Sequence, residues 1–245
     1  MKNFELQLKN ERELYRELFL NASKSFKELI DKLKGDFTCK NCGECGNCGA
    51  PEDITAKLPQ GCAYRGWQEM VVHLIKTEVA PDIIGKTREI QEYRHSFRCK
   101  RTGTCCRLAS SEFSYEELKE KAKNNDNFAG QFVEVFVPYK NIEDAKKVFP
   151  EYASILLEKF GEDGGLNFYH CKHLKDGNVC PIYESRPQIC RDFPDDPLAI
   201  LPPTCGYYAW KEEVAVAAYT FHAMSQIYGF YLEKITAALS SDKKA

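Results

Sequence analysis

The sequence predicts a mainly α-helical fold, a helical bundle interrupted by irregular cysteine-rich loops. Two apolar patterns near the ends and the clustering of 12 cysteines between them lead to this reading. Leu14, Leu18, Ala22, Phe26, Leu29 and Leu33 recur every three or four residues, the spacing of one face of a helix. Val214, Ala217, Phe221, Met224, Tyr228, Tyr231 and Ile235 alternate by three and four. The second pattern is a seam, and the first helix is its expected packing partner.

The elements follow in order. Gly35 ends the first helix. A second helical region follows Trp67 and continues past Pro81 to about His95. Ser114-Tyr115-Glu116-Glu117 is a capping box that opens a helix toward Lys123. Asn124 to Asn127 closes it. Phe132, Val133, Val135, Phe136 and Val137 fit a short strand or a buried helical turn, and periodicity does not choose between them. Asn141 caps a helix running from Ile142 to Phe160, with Pro150 as a break. Gly161 to Pro203 holds six of the eleven prolines and reads as loop.

Composition narrows the function classes. The chain has 245 residues and a net charge of -2, which gives no reason to expect nucleic acid or an anionic membrane as partner. The apolar stretch from Val214 to Leu239 contains His222, Ser225, Gln226, Glu233 and Lys234, so no membrane span is expected. The first residues lack the apolar core of a signal peptide, which predicts a cytoplasmic protein. Clustered thiols in a reducing compartment point to metal rather than disulfides.

The cysteines sit in two repeated frames. Phe37-Thr38-Cys39-Lys40-Asn41-Cys42-Gly43-Glu44-Cys45 aligns with Phe97-Arg98-Cys99-Lys100-Arg101-Thr102-Gly103-Thr104-Cys105. The run from Leu58-Pro59 through Cys62, Tyr64 and Trp67 to Glu69 aligns with Leu201-Pro202 through Cys205, Tyr207 and Trp210 to Glu212. The chain thus reads as a duplicated cysteine module, and Cys62 and Cys205 are expected to play equivalent roles. The first copy carries Cys39, Cys42, Cys45 and Cys48 as three consecutive C-x-x-C steps, with Cys62 following. Such a loop turns its sulfurs around one centre and suits an iron–sulfur cluster better than zinc, whose knuckles stand further apart. Zinc stays the alternative.

The second copy adds Cys106, Cys171, Cys180 and Cys190 between Cys105 and Cys205. Its opening, Phe97 to Arg107, resembles the first motif of the CxxCxxCC cysteine-cluster family. Cys171-Lys172-His173-Leu174, and then Cys180-Pro181-Ile182-Tyr183 through Arg186-Pro187-Gln188-Ile189-Cys190-Arg191-Asp192-Phe193-Pro194, resemble its second block. The resemblance covers about residues 97–205 and implies zinc or iron chelation. A flagellin lysine N-methylase resembles the same family, which makes an enzyme one alternative. This chain departs from the signature at Thr102, where the family has cysteine. Either another thiol fills that position or a metal keeps an open corner there. Cys105 and Cys106 are adjacent, so their side chains are expected to diverge toward two neighbouring centres.

The chain divides, on this reading, into an N-terminal helical region with the first cysteine module (1–96), a cysteine-cluster domain (97–210) and a C-terminal helix (211–245). Two or three [4Fe–4S] clusters are expected, with all twelve cysteines as candidate ligands. Electron transfer, or assistance to a redox or cluster-bearing protein partner, is the expected role. A lysine N-methylase-like enzyme and a zinc-stabilised interaction module are the alternatives. His170, His173, Arg186 and Arg191 lie close enough in sequence to tune such a site. Tyr64, Trp67, Tyr207 and Trp210 are expected as apolar lids over the sulfurs.

Overall fold

The computed structural model describes residues 2–39, 50–160 and 165–240. They are mainly helical, with one small sheet. The chain separates into two compact units, one of residues 10–92 and 214–245, the other of residues 1–9 and 93–213.

Among its described residues, the unit of residues 10–92 and 214–245 is all helix and loop. It is built from α1 (Lys2–Lys34), α2 (Tyr64–Leu74), α3 (Ala80–Tyr93) and the long C-terminal part of α10 (Tyr208–Ser240). Its core holds Phe26, Ile30, Trp67, Val71, Ile75, Ile227, Tyr228 and Ile235. The Phe26 ring lies 4.8 Å from Tyr228 and 4.5 Å from Tyr231. Polar contacts fix the same pairing, with Tyr15 donating to Gln226 at 2.8 Å and Tyr219 donating to Glu11 at 2.7 Å. Between α2 and α3 the helix widens into a π turn, Ile75–Val79. Pro81 follows two residues later. A proline has no N–H to donate and its ring crowds the carbonyl four residues back, so a local widening keeps the rod continuous.

The unit of residues 93–213 contains the sheet. Its elements are α4 (Thr104–Arg107), β1 (Ala109–Ser111), α5 (Tyr115–Lys123), α6 (Asn127–Val135), β2 (Phe136–Pro138), α7 (Ile142–Val148), α8 (Pro150–Phe160), β3 (Asn167–Cys171), α9 (Gln188–Asp192) and the start of α10. The strand order is β1-β3-β2, antiparallel throughout, with Ala109 opposite Tyr169 and Phe136 opposite Cys171. Successive residues of a strand face opposite ways. Phe168 accordingly enters a cluster with Leu108, Ala145, Ala153 and Leu157, while Tyr169 and Cys171 enter another with Leu118, Phe132 and Val135.

One sequence reading is corrected here and one is decided. The stretch from 161 to 203 is not all loop: it supplies the central strand and a short helix. The strand buries both faces, so it lacks the alternation that marks a half-exposed strand. The segment 131–139 is both alternatives in turn, the end of α6 and then β2.

The capping box forms. Ser114 accepts from the Glu117 amide at 3.3 Å, and the Glu117 carboxylate accepts from the Ser114 amide at 2.7 Å. Ser114→Ala is expected to cost about 1 kcal/mol and Ser114→Gly only a few tenths. Paired thermal melts check this, and equal loss in both variants would mean that capping is not the cause.

Candidate metal centre

The loop before α4 is curled by two left-handed residues, Arg101 at φ 55° and Gly103 at φ 74°. Non-glycine residues rarely adopt this region, so the curl is specific. It turns the Arg101 amide back onto the Cys99 sulfur at 3.3 Å. Gly103 caps α4, which then carries Cys105 and Cys106 on one short turn. Cys171 ends β3. Cys180 follows a small bridge between Lys175 and Val179. Cys190 lies on α9, its amide donating to the Pro187 carbonyl at 3.0 Å. Cys205 sits in a turn closed by its amide on the Pro202 carbonyl at 2.8 Å.

All seven of these cysteines line one cavity of about 460 Å³. The volume falls in the range of small-ligand sites. Among the described residues, no disulfide joins the cysteines, and no three His, Cys, Asp or Glu side chains converge at the spacing of a single bound ion. The thiols instead face a shared space. Every donor in the ring is a soft sulfur, the chemistry that zinc and iron–sulfur centres take.

Backbone amides also aim at sulfur. His173 and Leu174 donate to Cys171, Tyr207 to Cys205, and Arg101 to Cys99. Hydrogen bonds of this kind stabilise thiolate charge. They come from backbone N–H groups, which no residue type advertises, so sequence reasoning had no signal for them.

Burial dominates the electrostatics. It pushes the Cys190 thiol up to about 11, assisted by Cys106 and Cys171 and opposed by Arg186. It likewise raises Cys171 and Cys205, against the amides that point at them. Cys106 is the exception, lowered to about 7 because Cys105 donates a hydrogen bond to it and Arg186 and Arg107 add positive charge. Cys105 moves the opposite way, holding the shared proton in a buried place. The adjacent thiols thus act on one another's proton. Neighbours on a helix stand about 100° apart, which leaves rotamers that bring the sulfurs together.

Each thiol of that pair nevertheless has its own surroundings. Cys105 feels Cys99 and Cys205, and Tyr152 feels Cys105 and Cys205. Cys106 and Cys190 pack against the cluster that contains Cys171. Cys190 also feels Cys171 and Cys180.

Arg186 acts both on its own loop and on the thiols. It donates to the Tyr183 carbonyl at 2.8 Å and lies 3.7 Å from the Tyr183 ring, while its charge acts on Cys106 and Cys190. Arg101 reaches the same ring, also at 3.7 Å. Arg191 enters through its carbonyl, which accepts from buried Arg94 at 2.7 Å. His170 packs against Tyr139 with the rings tilted at 53° and their centres 4.8 Å apart.

The repeated frames fold alike. Cys62 sits in the same turn as Cys205, its amide donating to Pro59 at 3.0 Å, and a helix opens just after each. Trp67 and Trp210 are both fully buried, as are the residues after them, Gln68 and Lys211. A further match escaped the sequence reading. Lys34 and Arg94 each precede the frame phenylalanine by three residues. Lys34 lies over the Trp67 ring, and Arg94 lies over the Tyr207 ring. Cys39 and Cys62 pack beside the core that holds Trp67 and Tyr64. Cys42, Cys45 and Cys48 lie outside the described residues.

No curated protein matches the chain, and no solved structure matches it. Residues 98–206, which span all seven of the cavity's cysteines, match the model of the CxxCxxCC family, described as a zinc- or iron-chelating domain.

Proposed function

We propose that this protein carries iron–sulfur clusters of the [4Fe–4S] type and serves electron transfer, or assists a redox or cluster-bearing protein partner in the cytoplasm. The observation that carries the reading is the ring of seven thiols around one cavity. These thiols come from separate stretches of chain and meet no other soft-donor role. A multi-iron centre presents its ligand positions on separate atoms, so it suits thiols that surround a space. Cys39, Cys42, Cys45 and Cys62, with Cys48 as a further thiol, are the proposed ligands of a second centre in the first repeat. Arg186 and the amides on sulfur would then raise the cluster potential by stabilising added negative charge.

Anaerobic purification tests this. Brown protein is expected, with acid-labile sulfide near stoichiometric to iron. Colourless protein that holds zinc and no sulfide after anaerobic reconstitution would overturn the iron–sulfur reading in favour of the zinc-stabilised module. The cavity supports a second reading, a lysine N-methylase-like enzyme, because its volume leaves room for a bound molecule. An EPR response of the loaded protein to S-adenosylmethionine would favour that reading over electron transfer.

A further inference from the structure

The seven thiols differ in what surrounds them, and the difference sorts them into two groups. Cys106, Cys171 and Cys190 share one apolar cluster with Tyr169 and Phe132. Cys180 follows the bridge that β3 leads into and lines the same cavity. Cys99, Cys105 and Cys205 stand outside that cluster. The backbone of Arg98 and Lys100 presses against Gly206, so tightly that an added Cβ there would overlap the Arg98 carbonyl and stand 2.8 Å from the Lys100 nitrogen. This close approach sets Cys99 beside Cys205. The curled loop from Cys99 into α4 brings Cys105 to the same side.

The second group is one thiol short of four. In the first repeat the corresponding frame positions are Cys39, Cys42, Cys45 and Cys62. In the second they are Cys99, Thr102, Cys105 and Cys205. Thr102 lines the cavity, and its hydroxyl stands 3.2 Å from the Thr104 hydroxyl. A hydroxyl is a hard, weak donor to a soft metal.

We propose that the cavity holds two metal centres: a closed one on Cys106, Cys171, Cys180 and Cys190, and an open one on Cys99, Cys105 and Cys205. The fourth position of the open centre, at Thr102, takes a ligand that enters the cavity. Lys100, Arg101 and Arg186 line the same space against Asp192 and Asp195, which leaves an excess of positive charge, so the favoured ligand is a small, soft anionic donor such as a thiolate. The inference rests on the metal-binding reading above and adds the division of ligands and the exchangeable site.

The test uses full-length protein loaded anaerobically with iron and sulfide. The paired variants Cys99→Ser/Cys205→Ser and Cys171→Ser/Cys190→Ser are each expected to lose one centre's iron, and all four substitutions together to lose twice as much. A single shared centre predicts that either pair removes all of the cavity's iron, leaving only that of the first repeat, with no further loss on combination, which would overturn the division. Cyanide then probes the open corner. It is expected to shift the EPR spectrum of the unmodified protein and of Cys171→Ser/Cys190→Ser. It is expected to leave Thr102→Cys unshifted, because the new thiolate closes the corner. Loaded protein that does not respond, or a response that survives Thr102→Cys, would overturn the open site. If a serine pair fails to fold by circular dichroism, the Thr102→Cys comparison still decides, since it keeps every thiol. Failure of the unmodified protein to take up metal would sink the function reading itself, an outcome distinct from either of these.

Discussion

Gly206→Ala is expected to destabilise the unit of residues 93–213 by roughly 3 kcal/mol, the upper range of overpacking costs. The added methyl would overlap the Arg98 carbonyl and crowd the Lys100 nitrogen, and both are backbone atoms that cannot step aside alone. In thermal melts this corresponds to a loss of about 12 °C for a unit of about 120 residues. The first repeat supplies the control. There the matching residue is Ala63, and the glycine has moved to Gly66, matching Ala209. A methyl on Gly66 would meet only the Phe37 ring, at 2.8 Å, and a ring can shift. Gly66→Ala should therefore cost clearly less than Gly206→Ala. Metal content should also fall more in Gly206→Ala, because the displaced backbone flanks Cys99 and Cys205. Equal melting of the two variants would contradict the argument.

Trp67→Ala is expected to cost about 4 kcal/mol, in the range for removing a large buried aromatic. Trp67 is 1% exposed and sits in the middle of the α1–α2–α10 core. Its indole nitrogen also donates to the Ile30 carbonyl at 2.9 Å. Trp67→Phe separates the two contributions: it keeps most of the apolar volume and loses the hydrogen bond, so about 1–3 kcal/mol is expected. Denaturant midpoints for the three proteins give the comparison. A phenylalanine variant as unstable as the alanine variant would place the main loss in the hydrogen bond rather than in packing.

What the sequence made legible follows the strength of each local signal. The seams of α1 and α10 were readable because three- and four-residue spacing runs through many turns. Ser114 was readable because a capping box needs two specific side chains three residues apart. The thiols of the 93–213 unit were readable because cysteine types at motif spacing mark themselves. The sheet was not. β1 is three residues long, and β3 sends Phe168 one way and Tyr169 and Cys171 the other into apolar surroundings. The amides on sulfur left no trace because they belong to the backbone. Arg94 was missed for another reason: its equivalence to Lys34 lies just outside the repeated frame and becomes evident only when each is found over an aromatic ring.

The tight turns around Cys62 and Cys205 bear on the order in which the chain assembles. Cys39 and Cys62 are 23 residues apart, whereas Cys99 and Cys205 are 106 apart. Closing the longer span costs about 1.3 kcal/mol more in chain entropy, and contacts of such separation form slowly. The inserted sheet shortens the path: once Ala109 pairs with Tyr169, much of the span is already bridged, and the ends of the second repeat have less chain to search. The first repeat needs no such scaffold. It is therefore expected to close early, while the second waits for its own insertion to fold.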